Sequence, residues 1–310
     1  PRGAGDRLPD RGASSLVALA DKLDTLSVAF ALGIEVSGSQ DPLGLRRAAS
    51  GVANIILDQS HDLDLDETLR FTVGLGKQSV ENGTGTGGKT GEMGQGQLAG
   101  HGQDPNQGFE KKDTVSRDSG KRDRKARGKK AAEDVESVIA RLKEFLLHRV
   151  EVILLERGFP IEMIRGVLAG GETRISRLPL MAEALSSLSG TETLTDVVSG
   201  WKRTSVLGKT ASGRDVLPDL FVDEPERALY RLVSGRRHEM EKLFEGKEYD
   251  KYLEELSFLR VPIDNCLDNV LIMAKDEALK GNRLKLLGLV SDMFTRFADF
   301  TYVLPLAGKV

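Results

Sequence analysis

Apolar residues recur every three or four positions along most of this chain. Leu16, Leu19, Leu23 and Leu26 do so near the start, which predicts a helix that Ser14 or Ser15 can cap and Gly33 can close. "SGSQDP" reads as a turn, and Pro42 then takes the first position of a second helix through "LGLRRAASGVANIILDQ". "LDLDETLRFTVGL" predicts a shorter third helix with Asp64 or Asp66 near its start. The pattern resumes with "EDVESVIARLKEFLLHRVEVILLERG", a long amphipathic helix stopped at Gly158, and Pro160 opens the next, "PIEMIRGVLAGG". "RISRLPLMAEALSSL", interrupted early by Pro179, and "TETLTDVVSGWKRTSVL" read as two more. After a loop, "GKTASGRDVLPDLFVDEP", come "EPERALYRLVSGRRHEMEKLFEGK", "EYDKYLEELSFLR" and two longer helices, "VPIDNCLDNVLIMAKDEAL" and "NRLKLLGLVSDMFTRFADFTYVL". Arg260 starts the first of this last pair, while Arg283 and Lys285 open the second. No strand alternation or fixed-period repeat stands out, so the predicted fold is all-α.

The periodicity fails between residues 76 and 130. That stretch is glycine-rich and polar, and it cannot bury enough surface to offset the entropy of ordering its backbone. It reads as a disordered insertion joining two helical blocks, 1–75 and 131–310. It ends in "KRDRKARGKK", seven basic residues in ten. That run reads as a solvated linker end, a basic arm with RNA affinity, or a targeting signal.

Composition agrees with a chain only partly committed to a core: 39% hydrophobic and 5% aromatic over 310 residues. The net charge of -3 rules out a global cationic field, so nucleic-acid contact would need a local patch. A lone cysteine, Cys266, excludes an intrachain disulfide and suits a reducing compartment. No apolar run reaches the roughly 20 residues that span a bilayer, so no membrane association is expected. The opening "PRGAGDRLPDR" reads as a loop entered midway, which suggests a fragment or a processed product.

Candidate chemistry is sparse. The four histidines, His61, His101, His148 and His238, show no metal-ligand spacing. "HDLDLDE" at 61–67 looks acidic enough for a cation, but carboxylates at 62, 64 and 66 on a helix start do not converge. Helix N-terminal charge explains them better. "GTGTGGKTG" at 83–91 has the composition of a phosphate loop without apolar flanks for the strand and helix that such a loop needs. Cys266 reads as a core thiol rather than a nucleophile. Asp21, among the apolar residues of "LVALADKLDTLSVAFALG", is the one acidic residue that could belong either to a metal site or to a helix edge.

"AGDRLP" at 4–9, "ALADKLDTL" at 18–26 and "GSQDPLGLRRAASGVANIIL" at 38–57 resemble the β subunit of the bacterial-type glycyl-tRNA synthetase. The long helix from 133, the "WKRTSVL" element and the terminal helices from "LFEGKEYDKYLEELSFLRVPIDN" onward resemble the same family independently. The resemblance covers nearly everything outside 76–130. Cys266 and Leu267 stand where the family usually has aromatics, which implies repacking only. The insertion leans towards the fused α-β form of plant and algal organelles. A chloroplast or mitochondrial location would follow from that, and a bacterial cytoplasmic one otherwise.

The resemblance implies ATP-dependent attachment of glycine to tRNA(Gly). It places glycine, ATP and Mg in an α part that this chain lacks, so no cofactor and no catalytic residue is expected here. The chain would hold the end of an HD-like helical domain and a DALR-type anticodon-binding domain, partnered by tRNA(Gly) and by an α subunit or fused α part in an α2β2 or dimeric fused assembly. Asp21 would match the last aspartate of HD-type phosphohydrolases. With the other ligands not in sight, no metal and a structural or polar-network role are expected for it. Candidate tRNA contacts are Arg46, Arg47, Lys202, Arg203, Arg260, Arg283 and Lys285, with Arg236 and Arg237 also basic and adjacent. Arg283 is the favoured anchor, although it could instead pair with Asp264 or Asp268 inside the bundle. A non-catalytic helical scaffold and a metal-dependent phosphohydrolase fragment are the alternatives.

Overall fold

The computed structural model describes residues 8–34, 41, 43–84 and 134–306. Among these residues there are eleven α-helices and no strand. They are α1 (Ala13–Ala31), α2 (Leu45–Gln59), α3 (Leu65–Thr84), α4 (Val135–Glu156), α5 (Ile161–Leu168), α6 (Leu178–Ser187), α7 (Glu192–Gly208), α8 (Glu224–Glu245), α9 (Tyr249–Ser257), α10 (Arg260–Asn269) and α11 (Glu277–Phe297). The all-α prediction holds, and none of the described helices is long and apolar enough to cross a membrane.

Most helices follow the spacing that predicted them. Leu19, Leu23, Leu26 and Phe30 bury one face of α1, while Val138, Leu142, Leu146, Val150 and Ile153 bury one face of α4. Gly33 and Gly158, both at positive φ, close these helices as expected. The caps differ in detail. Gly12 stands at the N-cap of α1, and Ser14 and Ser15 donate backward to the carbonyls of Asp10 and Gly12 instead of capping. Asp64 does cap α3, accepting from the Glu67 amide at 3.0 Å.

Three predicted boundaries move. Helix α3 runs to Thr84, through the first residues assigned to the insertion. Gly76 is inside it because a Cβ there would lie 3.3 Å from the Ser27 carbonyl carbon of α1, so the glycine serves a close helix contact. The rest of the expected insertion, with its basic run and His101, lies outside the described residues. Helix α10 stops at Asn269 instead of running through "VLIMAKDEAL". Val270 and Ile272 are buried while Leu271 and Met273 are exposed, the alternation of an extended segment. Helix α11 therefore begins early, capped by the Asp276 carboxylate, which accepts from the Leu279 amide. Arg283 lies well inside it.

Packing also redraws the blocks. Helix α4, expected with the C-terminal block, packs on α1, α2 and α3 and completes a four-helix layer. The second layer is built around α7, which contacts α9, α10 and α11, with α8 packed on α9 and α10. Its core holds Phe244, Tyr249, Tyr252 and Phe297, whose rings meet edge-on or stacked 5.2–6.4 Å apart. Helices α5 and α6 join the two layers.

Candidate nucleic-acid interface

The basic residues singled out by sequence fall into three environments. On the α7–α10 surface, Arg203 donates to Asp264 at 2.7 Å and to Asp268 at 2.5 Å. Arg260, at the start of α10, pairs with Asp196 of α7 and approaches Asp264 at 3.6 Å. The hydrogen bonds to Asp268 and Asp264 hold the Arg203 proton more tightly than usual. Both guanidiniums are thus neutralised helix-to-helix clamps. Lys202, next to Arg203 on α7, is exposed and has no hydrogen-bond or ion-pair partner among the described residues.

The second environment is the interior. Only 4% of the Arg283 side chain is exposed. Its Nε donates to Glu226 at 2.6 Å, Nη2 to Asp223 at 2.7 Å, and Nη1 to the Leu271 carbonyl at 2.8 Å. Glu226 is fully buried and also accepts from the amides of Val222 and Asp223. Burial alone would raise the Glu226 pKa, but the Arg283 and backbone hydrogen bonds outweigh it and hold the carboxyl below its ordinary 4.5. Asp223 and Glu226 form a capping box on α8, with Pro225 in its first turn. The neighbouring Asn282 carboxamide pairs with both the amide and the carbonyl of Leu217. Arg283 and Asn282 therefore pin the 217–223 and 270–273 loops to α11. Arg283, the favoured tRNA anchor, faces inward, and its partners are Glu226 and Asp223. Asp264 and Asp268 are taken by Arg203. Cys266 is buried as expected, its thiol pushed up to about 11 by burial and by nearby Glu226.

The third environment is mixed. Arg47 is exposed, 3.7 Å from Asp41. Arg46 is half-buried near Arg149, whose pKa is lowered by burial and then by the Arg46 charge. Lys285 is half-buried on α11 with no partner among the described residues. Arg236 pairs with Glu255, while exposed Arg237 has no hydrogen-bond or ion-pair partner among the described residues. The structure does not gather Arg46, Arg47, Lys202, Arg203, Arg260 and Lys285 into one patch: the first two lie on α2 and the others on α7, α10 and α11.

The acidic candidates disperse too. Asp21 is exposed on α1; its backbone carbonyl accepts from Thr25, and its carboxylate has no partner among the described residues, so it joins no polar network. In "HDLDLDE", Asp62 binds Arg177, Asp64 caps α3 and accepts from Thr173 at 2.6 Å, and Asp66 pairs with Lys143. They diverge, and no three metal-capable side chains converge among the described residues.

Sequence reasoning missed Arg177. Its side chain is as buried as Arg283, and it binds Asp62 at 3.2 Å, Glu172 at 3.3 Å and Glu245 at 2.9 Å. These carboxylates come from the α2–α3 loop, the α5–α6 connection and α8, so one guanidinium ties the two helical layers together. Nothing local in "RISRLP" marks it. The Arg283 hub did leave a signal, the D-x-x-E box of "DEPE" with proline inside the helix start.

A family model described as glycyl-tRNA synthetase beta subunit matches residues 1–169. The match ends just after α5, at the packing boundary between layers. The chain is 30% identical over 94% of its length to a glycine--tRNA ligase beta subunit of Halothermothrix orenii. It is 29% identical over 97% to that of Desulforudis audaxviator, and 28% identical over 97% to that of Haemophilus influenzae. The chain spans about a third of those relatives, 35–36% of their lengths.

Proposed function

The chain belongs to the glycyl-tRNA synthetase beta subunit family, and on that premise we propose that it is the tRNA-recognising part of a glycyl-tRNA synthetase. Its relatives are glycine--tRNA ligase beta subunits aligned across 94–97% of this chain, and that single observation carries the reading. In this reading the second layer, α7 to α11, contacts the anticodon region of tRNA(Gly), and the first layer holds the partner α part. Glycine, ATP and Mg are handled by that α part. The charge distribution supports a binding role of modest electrostatic strength. Arg203, Arg260 and Arg283 are already compensated by carboxylates, so Lys202, Arg237 and Lys285 are the cations of the second layer that sequence singled out and that remain available to phosphate.

The test is binding of a tRNA(Gly) transcript to this chain across a salt series, beside a non-cognate tRNA. Preference for tRNA(Gly), with Lys202→Ala lowering the slope of log K against log salt by roughly 0.7–0.9, supports the reading. Equal, weak binding of both tRNAs overturns it and leaves a helical scaffold.

A further inference from the structure

A cleft of about 330 Å³ opens between α8, α9, α11 and the loop after α7. Two of its walls are flat guanidinium groups. Arg214 lies over Gly288: a Cβ on that glycine would meet Cζ and Nη1 at 2.8 Å and Nε at 2.9 Å. Three atoms nearly equidistant from one point on the helix mean that the group lies face-down on α11. Asp292 fixes its edge with two hydrogen bonds, at 2.7 and 3.0 Å. Arg296 is built in the same way. Its Cζ sits 4.0 Å from the centroid of the Phe244 ring, and Glu241 and Glu245 hold its edge. Each plate is backed on one side and locked at its rim, and both line the cleft.

Leu289, Met240 and Met293 supply an apolar and polarisable floor. The lining charges cancel three against three, Asp215, Glu241 and Asp292 offsetting Arg214, Arg296 and Arg237. Arg237 alone of these three arginines makes no hydrogen bond or ion pair among the described residues; it is exposed, and its charge acts on Glu241 only at longer range. The site thus offers stacking faces, apolar side chains and, on Arg237, a guanidinium not held by a hydrogen bond, within a lining whose formal charges sum to zero. A planar ring with a single phosphate satisfies all three. A free triphosphate would bring more negative charge than one unpaired arginine can match.

We propose that this cleft receives one unstacked nucleotide of a single-stranded RNA segment, its base against the Arg214 and Arg296 plates and its phosphate on Arg237. Guanidinium planes stack bases with little sequence preference, and rigid ones lose little freedom on binding. The inference rests on the tRNA-binding reading and assigns a subsite to it.

The experiment measures tRNA(Gly) transcript binding by the full chain and by Arg237→Ala, Arg237→Lys and Leu289→Trp, with thermal midpoints recorded for each. Leu289→Trp fills the cleft and should weaken binding about tenfold. Arg237→Ala should lower the salt slope by about 0.7, and Arg237→Lys should restore it. The midpoints should not move. Wild-type affinity and slope in both Arg237→Ala and Leu289→Trp would overturn the subsite while leaving tRNA recognition intact. Should the wild-type chain bind no tRNA, the tRNA reading itself fails, and an adenylate hexamer then decides the cleft. Hexamer binding lost in Leu289→Trp upholds it, and no hexamer binding overturns it.

Discussion

Arg177 and Arg283 are equally buried, yet they do different work. Arg283 acts within one layer. Its hydrogen bonds to Glu226, Asp223 and Leu271 are 2.6–2.8 Å at their shortest, and its main partner is fully buried. Arg177 acts between layers, its bonds run from 2.9 to 3.3 Å, and two of its three carboxylates, Asp62 and Glu245, are over 40% exposed, while the third, Glu172, is buried but also has the Arg174 guanidinium at 3.8 Å and accepts from the Arg174 amide at 2.7 Å. Glu226 has no other cation among the described residues and is stranded when Arg283 is lost, whereas on loss of Arg177 the exposed carboxylates can fall back on water and Glu172 keeps Arg174. The same residue type is therefore a rigid pin in one region and a releasable clasp in the other.

Removing each guanidinium tests the distinction. Arg283→Ala strands Glu226 and frees two loops, and should lower unfolding free energy by about 3–5 kcal/mol in urea titrations. Arg177→Ala should cost less, about 1–3 kcal/mol. It should also uncouple the layers: Trp201 lies in α7, so its fluorescence reports the second layer, and its urea transition should separate from the helical circular dichroism that both layers share. Coincident transitions, or a larger loss than in Arg283→Ala, would reverse the comparison.

Acid sharpens it. The Glu226 carboxyl is held below 4.5 in the folded protein. A depressed carboxyl binds fewer protons folded than unfolded, so its stabilisation is complete above the unfolded value and is lost as pH falls through the folded one. Stability should fall below about pH 4.5, and Glu226→Gln should flatten that fall by up to about 1.4 kcal/mol per pH unit. An unchanged slope in Glu226→Gln would remove Glu226 from the acid response. The smallest effect belongs to the surface: Arg203→Ala, with partners at Asp264 and Asp268, should change stability by about 1 kcal/mol or less, and by less still in high salt.

Helices such as α1 and α4 were legible because each buries a single stripe at helical spacing. The two misplaced ends were illegible for opposite reasons. Gly76 looks like a helix breaker and is a helix contact. "VLIM" is apolar throughout, so its in-out alternation leaves no trace in residue type. The basic candidates were legible as positions but not as charges. Whether Arg203 or Arg283 faces solvent depends on carboxylates some sixty residues away in sequence, 61 positions for Arg203–Asp264 and 57 for Arg283–Glu226. No local pattern encodes such pairings. The arginine plates of the cleft were invisible for the same reason, since Gly288 and Arg214 meet only in three dimensions.

Helices α7 and α11 touch through glycine: a Cβ on Gly208 would lie 3.0 Å from the Gly288 Cα and from the Leu287 carbonyl oxygen. Neither neighbour is a side chain that could swing aside. In a saturation library selected only for soluble expression, Gly208 would show a blank column of the kind usually credited to active-site residues. Depletion there would come from backbone meeting backbone, and mutational intolerance along this chain would not serve as a map of its chemistry.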